Sequence, residues 1–253
     1  MSLKLLLSAF AIGALLLNGC QNEKTAMLTG ANSLSSLDGG HSCDSSFLNN
    51  PCPAPALSAD QATLFMEEFE SSPAQGQQIP GVCGNAIALS NGENVELDIM
   101  LMEPIPVGTV EFWFKPNADF FDENPKTLLG NEGARVHFFV KDGELIFQKN
   151  HDNIHYFVKG DFNLDPNNWN LIAGQWGNGF LSLFVNGEQV AAIPHTQGYA
   201  PSPRIMTDKS NRIVVGAKNG CCMEALGQFD SMSTSGAFDQ LRISNITRYN
   251  NAE

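Results

Sequence analysis

The chain has 253 residues, a formal charge of −13 at neutral pH and 43% hydrophobic residues, 17 Phe among its side chains. So acidic a surface has no electrostatic footprint for nucleic acid or anionic lipid headgroups, and suits neutral glycans, cations or basic protein patches. The apolar content is ample for one sizeable core, and the roughly 190 residues beyond the N-terminal segments suit one β-sandwich rather than two domains.

Residues 1–19 read as a secretory signal peptide. Lys4 supplies the positive start, and Leu5 to Leu17 form an apolar run too short to persist as a membrane span. The ending Leu17-Asn18-Gly19-Cys20 resembles the lipobox of bacterial lipoproteins, in which the Cys is joined by thioether to diacylglycerol and its freed amine is acylated. The resemblance implies a lipid anchor at Cys20 and attachment to a membrane through it, each buried acyl CH₂ contributing ~0.8 kcal/mol. Inner-membrane lipoproteins of Gram-negative cells tend to carry Asp next; Gln21 stands there instead, which implies the cell envelope's outer membrane. Residues 20–60 are rich in Ser, Asn, Gly, Pro and Ala without periodicity, and are expected to be a flexible spacer.

Residues 61–253 read as strands. Leu64–Glu70 alternates loosely, and Gly84–Leu89 and Glu93–Met100 follow. Gly108–Lys115 alternates cleanly, with Val110, Phe112 and Phe114 on one face and Glu111, Trp113 and Lys115 on the other. After Lys126–Gly130, the runs Arg135–Val140 and Glu144–Lys149 are joined by Asp142-Gly143, a primed-turn hairpin signal, and Ile154–Lys159 comes next. The stretch Trp169–Ala192 organises the rest: Asn170–Trp176, Gly177-Asn178-Gly179, Phe180–Val185, Asn186-Gly187 and a return strand ending before Pro194 make a three-stranded meander. Arg212–Gly216 and Ala237–Ser244 close the chain. About a dozen short strands with frequent turn signals predict an all-β, antiparallel two-sheet jelly-roll sandwich.

Cys20 aside, five cysteines remain: Cys43, Cys52, Cys83, Cys221 and Cys222. Outside the cytoplasm these are disulfide candidates. Cys43 and Cys52 flank a short loop and are placed to close it, while Cys83 is left to pair with Cys221 or Cys222.

The order GNAIAL, GTVEFWFKP, NNWNLIAGQW, LSLFVNGEQV, RIVVGAKNG and FDQLRISNITRY resembles the laminin-G-like domains of the concanavalin A-like lectin/glucanase superfamily. The match rests on Trp113 with Lys115-Pro116, Trp169, Asn186-Gly187, and Phe238-Asp239 with Arg242-Ile243 and Tyr249, over residues 62 to 250. Glucanases of this superfamily place two Glu residues on one strand, one as nucleophile and one as acid/base, with an Asp between. Glu96-Leu97-Asp98 begins such a pattern, but Met100 and Leu101 stand where the second Glu belongs, so the strand is expected to carry an acidic solvent face and no catalysis. Many relatives hold calcium through carboxylate and backbone oxygens, and the resemblance implies a structural ion at Asp239, completed by Glu67, Glu68 or Glu70, with Glu68 the choice taken here.

The resemblance therefore implies a non-catalytic binding or adhesion module whose partner is a glycan or a protein. Sugar rings stack on exposed aromatic faces while amides and carboxylates take the hydroxyls. Trp113 and Trp176 are the candidates, with Gln175, Glu111 and His137 beside them by strand alternation, core burial being the competing reading. The long loop Gly216–Ser235 is a candidate wall. Two rivals are kept: an atypical glycoside hydrolase, and a structural envelope protein.

Overall fold

Alternation along Gly108–Pro116 gives one strand two opposed jobs, and the rest of the molecule is arranged around its two faces. The computed structural model describes residues 56–72, 74–101, 103–122, 124–131, 135–152, 154–161, 164–200, 212–217 and 234–250. The expected signal peptide, Cys20, Cys43, Cys52, Cys221, Cys222 and most of the Gly216–Ser235 loop lie outside them. Fourteen strands are described: β1 Thr63–Glu67, β2 Gln77–Pro80, β3 Asn85–Leu89, β4 Val95–Met100, β5 Gly108–Pro116, β6 Lys126–Gly130 and β7 Val136–Lys141. They continue with β8 Glu144–His151, β9 Ile154–Asp161, β10 Asn170–Gly177, β11 Phe180–Val185, β12 Glu188–Pro194, β13 Arg212–Val215 and β14 Gly236–Ser244.

They form two antiparallel sheets. Sheet A runs β12-β11-β10-β5-β14-β3-β2, with β1 also on β14; sheet B runs β4-β13-β6-β7-β8-β9. The expected sandwich is present, and its turns have the expected chemistry. Asp142-Gly143 and Asn186-Gly187 both take positive φ at each position, 55° and 77° in the first and 53° and 85° in the second. That is what a primed turn requires and what Asn, Asp and Gly tolerate.

The core lies between the sheets. Val110, Phe112 and Phe114 of β5 face Phe138 of β7 and Phe147 of β8, all fully buried. Phe112 meets Phe138 edge-on at 5.2 Å, and Phe138 stacks on Phe147 at 4.6 Å. Each such ring contributes about 1.5–3 kcal/mol through burial alone. The sheets approach closely at Gly174, where an added Cβ would stand 2.7 Å from the phenyl rings of both Phe138 and Phe147. No larger residue fits there without parting the sheets.

Two elements were not foreseen. β2, QQIP, has no alternation to read and ends in Pro80, which suits its place at the edge of sheet A. A 3₁₀ turn at Ala118–Phe121 buries Phe120 against Phe114 at 5.0 Å. Residues 57–60, read as the end of the spacer, lie against sheet A: Leu57 N–H donates to Gln240 Oε1 at 2.9 Å, and Arg242 Nη1 donates to Ser58 O at 2.6 Å.

Candidate functional site

The five residues expected to present a ligand surface are all buried, and the expectation is corrected accordingly. Trp176 lies on the inner face of β10, fully buried, its Nε1–H donating to Ile105 O at 2.8 Å. Trp113 points outward from sheet A but packs with Leu57 and Val82. Glu111, beside it, is covered too. Its carboxylate accepts from Arg242 Nε at 2.8 Å and from the Tyr249 hydroxyl at 2.6 Å, and Arg242 Nη2 stands 2.7 Å away. Gln175 joins the same assembly, accepting at Oε1 from the backbone N–H groups of Arg248 and Tyr249 and donating from Nε2 to Tyr249 O. Arg248 in turn holds Asp60 through both Nη atoms. Burial and the Glu111 charge push the Tyr249 phenol far up, and the Asp60 bond raises Arg248. Alternation placed Glu111 and Gln175 correctly on one face; it carried no information that the segments before β1 and after β14 would close over that face. His137 is on the other sheet, its ring 3.1 Å from Thr127 Oγ1 and 4.8 Å from the Phe139 ring.

Asp239 is fully buried at a bulge in β14, where Gln240 has φ of 45°. Its Oδ2 accepts from Val82 N–H at 2.7 Å and Cys83 N–H at 3.4 Å, while Oδ1 has no hydrogen-bond partner. Desolvation raises its pKa to about 7, and the nearby Glu70 charge adds to this. Glu70, not Glu68, is therefore the neighbouring carboxylate; it accepts from Asn85 N–H at 3.1 Å and from Asn85 Nδ2 at 3.0 Å. Gly81 and Gly84 permit the approach, since a Cβ on either would collide with Asp239 and Glu70 respectively. The orphaned Oδ1 fits a cation's need for an oxygen ligand. No cluster of three or more His, Cys, Asp or Glu exists among the described residues, so such an ion would draw its other ligands from the backbone. Cys83, in the same loop, is disulfide-bonded.

An open cleft has a volume of about 430 Å³, within the range that small ligands occupy. It lies where β1 and the turn after it meet β4, and Glu67, Ser71, Gln75, Asn94 and Glu96 give it two carboxylates, two carboxamides and a hydroxyl. Gln75 Oε1 accepts from Asn94 N–H at 3.1 Å, which joins the two walls. Glu67 Oε1 accepts from Phe69 N–H at 2.8 Å and holds Phe69 at φ of 54°, a region a bulky side chain enters only under constraint. Glu96, on the rim, is 3.6 Å from Arg212 Nη1. Of these residues the sequence reading had weighed Glu67 and Glu96 alone, each for a different role. Ser71, Gln75 and Asn94 sit in turns with no period, and only the folding of β1 and β4 against each other brings them together.

The chain matches a family described as laminin G within the concanavalin A-like lectin/glucanases superfamily, over residues 98–251. Among solved structures it resembles domain 4 of AbnA, a GH43 extracellular arabinanase from Geobacillus stearothermophilus in complex with arabinotriose, at 15% identity, 71% of this chain, 81% of that one and a TM-score of 0.50. It also resembles domains LG4-5 of the mouse laminin α1 chain, at 15% identity over 68% of this chain, 42% of that one and 0.46. A third is the CBM40 of the Ruminococcus gnavus IT-sialidase bound to α2,3-sialyllactose, at 15% identity, 72%, 92% and 0.46. At such identities the likeness is one of fold. No curated protein matches the chain.

Proposed function

The chain belongs to the laminin-G-like family of the concanavalin A-like lectins and glucanases, and from that membership we propose a non-catalytic, surface-anchored binding or adhesion lipoprotein that recognises a glycan or a protein surface. The observation that carries this reading is the cleft. Carboxylates accept from sugar hydroxyls, carboxamides both donate and accept, and Glu67, Gln75, Asn94 and Glu96 offer both kinds within one concavity. Cys20 supplies the lipid anchor in this proposal and the outer membrane the location. Of the five other cysteines, four pair in two disulfides and one is left over, consistent with a bonded Cys83. Calcium, where bound, neutralises the Asp239 and Glu70 charges and ties the Gly81–Asn85 loop to the closing strand.

Glycan arrays and pull-downs with the full chain test the reading: a ligand is expected whose binding falls at least tenfold in Gln75→Ala and Asn94→Ala. A ligand indifferent to both substitutions removes the cleft from the proposal. Radiolabelled palmitate should enter the chain and be lost in Cys20→Ser. The rival, a glycoside hydrolase, has one observation in its favour, since Glu67 and Glu96 line the same cleft. Turnover of β-glucans that disappears in Glu96→Gln would establish it, whereas binding without turnover keeps the cleft non-catalytic.

A further inference from the structure

Nine residues line the cleft between β1 and β4, and their charges run one way. Glu67 and Glu96 are acidic, and none of the nine is a lysine, arginine or histidine. Phe69 and Leu97, each 5% exposed, belong to the core between the sheets and give the cleft a firm apolar back. Gln78 Nε2 donates to Phe69 O at 3.4 Å and to Glu70 O at 2.8 Å, which ties the turn that carries Ser71 to β2.

The two carboxylates are not equivalent. Glu96 lies 3.6 Å from Arg212 Nη1, so a cation already answers it. Glu67 is half-buried and makes no ion pair among the described residues. Its Oε1 accepts from Phe69 N–H at 2.8 Å, and its Oε2 takes part in no hydrogen bond among them. Neighbouring carboxylates are spent elsewhere: both oxygens of Glu70 accept from Asn85, and Glu93 Oε2 accepts from Ser90 N–H at 2.7 Å. The Phe69 bond thus fixes the Glu67 carboxylate and leaves its second oxygen for a ligand. Gln75 Nε2, the Asn94 carboxamide and the Ser71 hydroxyl likewise make no hydrogen bond among the described residues.

These groups decide which ligand the cleft favours. A ligand that covers Glu67 strips water from a carboxylate, and it must return donors or lose affinity. A neutral hydroxyl returns one hydrogen bond and no charge. An ammonium returns charge together with N–H donors, in charge-assisted bonds. A sugar acid brings a second negative charge and is repelled, the more so on a chain of formal charge −13. The carboxamides and the hydroxyl both donate and accept, as sugar hydroxyls do, whereas the stem of a lysine offers them nothing.

We propose that the cleft selects sugars that carry a free amine, the ammonium binding Glu67 Oε2 while Ser71, Gln75 and Asn94 take the ring hydroxyls. The inference rests on the reading of the cleft as the binding site and names its ligand class. Glu67 is the residue that sets the preference; the other three serve any sugar that enters.

Titration calorimetry of the full chain tests this with three disaccharides of one skeleton: the β-1,4-linked glucosamine dimer, its di-N-acetyl form and cellobiose, at a slightly acid pH where the amine is protonated. The amine dimer should bind at least tenfold more tightly than either of the others. Glu67→Gln keeps an acceptor for Phe69 N–H, so it should melt as the parent does and bring the three ligands to within about threefold of one another. Should that variant not fold, the parent still decides, since added salt must weaken the amine dimer and leave cellobiose unchanged. Equal binding of the three, no binding by a folded parent, or an amine preference that survives Glu67→Gln overturns the proposal. Trilysine binding as tightly as the amine dimer overturns it too, by moving the preference to a basic protein. Gln75→Ala should weaken all three sugars alike. If it does so while the three bind equally, the cleft reading stands and the amine inference alone falls.

Discussion

On the outer face of sheet A a buried carboxylate, Glu111, meets the guanidinium of Arg242, the phenol of Tyr249 and, at 3.5 Å, Arg248. On the outer face of sheet B a buried guanidinium, Arg135, meets the amide of Asn150. Both arrangements grow from the same alternation, which turns polar residues outward from strands whose other face builds the core. They differ in how charge is handled. Sheet A closes its polar face with the segments just before β1 and just after β14, and a network of this kind ties those segments down. Sheet B holds its buried guanidinium on a neutral carboxamide, and Arg135 makes no ion pair among the described residues.

The severest way to break the comparison is to remove the acid from sheet A. Glu111→Ala leaves Arg242, whose side chain is 10% exposed, with its buried charge unanswered. A loss of about 3–5 kcal/mol is expected in urea unfolding. Arg135→Gln should cost within about 1 kcal/mol, because it removes a buried charge that a neutral carboxamide holds and that makes no ion pair among the described residues. Equal losses from the two substitutions would mean that the faces are built alike.

Asp239 is the exception on sheet A, a buried carboxylate without a cation, and pH separates its two possible resolutions. Burial raises its pKa from 3.8 to about 7, so between these values the folded chain holds a proton that the unfolded chain has released. This contribution to stability is fully present below pH 4 and is lost as pH rises through 7, a fall on the order of a few kcal/mol. A bound calcium ion replaces the proton. Added calcium should then raise the melting temperature more at pH 8 than at pH 5, and Asp239→Asn should abolish the difference. A calcium effect that is the same at both pH values would place the ion elsewhere.

A milder probe leaves the charges in place. Tyr249→Phe deletes only the phenol bond to Glu111, and hydrogen bonds to charged groups are worth about 1.5–3 kcal/mol. Unfolding in urea should show a loss in that range, with Glu111→Ala remaining the larger. A loss below 0.5 kcal/mol would show that the guanidiniums alone satisfy the carboxylate.

How far this architecture can be read from sequence differs by level. Val110, Phe112 and Phe114 announce a core face by spacing alone, and Asn186-Gly187 announces its turn because few other pairs accept positive φ twice. Both signals are local. The fate of Glu111 is not local: its partners Arg242 and Tyr249 stand 131 and 138 residues away, so alternation shows which way it points and nothing of what covers it. The cleft is hidden for the same reason, its walls coming from turns without pattern. The contact of Arg135 with Asn150 is hidden in the same way, since it forms only when β7 and β8 pair.

Lys149 tests whether an unanswered cation on sheet B is tolerated or needed. It stands on the inner face, where spacing calls for an apolar residue, and its ammonium is 6.0 Å from the Trp176 ring. Burial lowers its pKa to about 8, with the Arg135 charge as a second cause, and pushes His195 beside it down to about 4. Lys149→Met keeps the stem's volume and removes the charge, so a change between zero and a gain of about 1 kcal/mol in urea unfolding is expected. If Lys149→Met instead destabilises the fold by 2 kcal/mol or more, its bonds to Gly198 and His195 are what the position is for, and sheet B's cations do not act together.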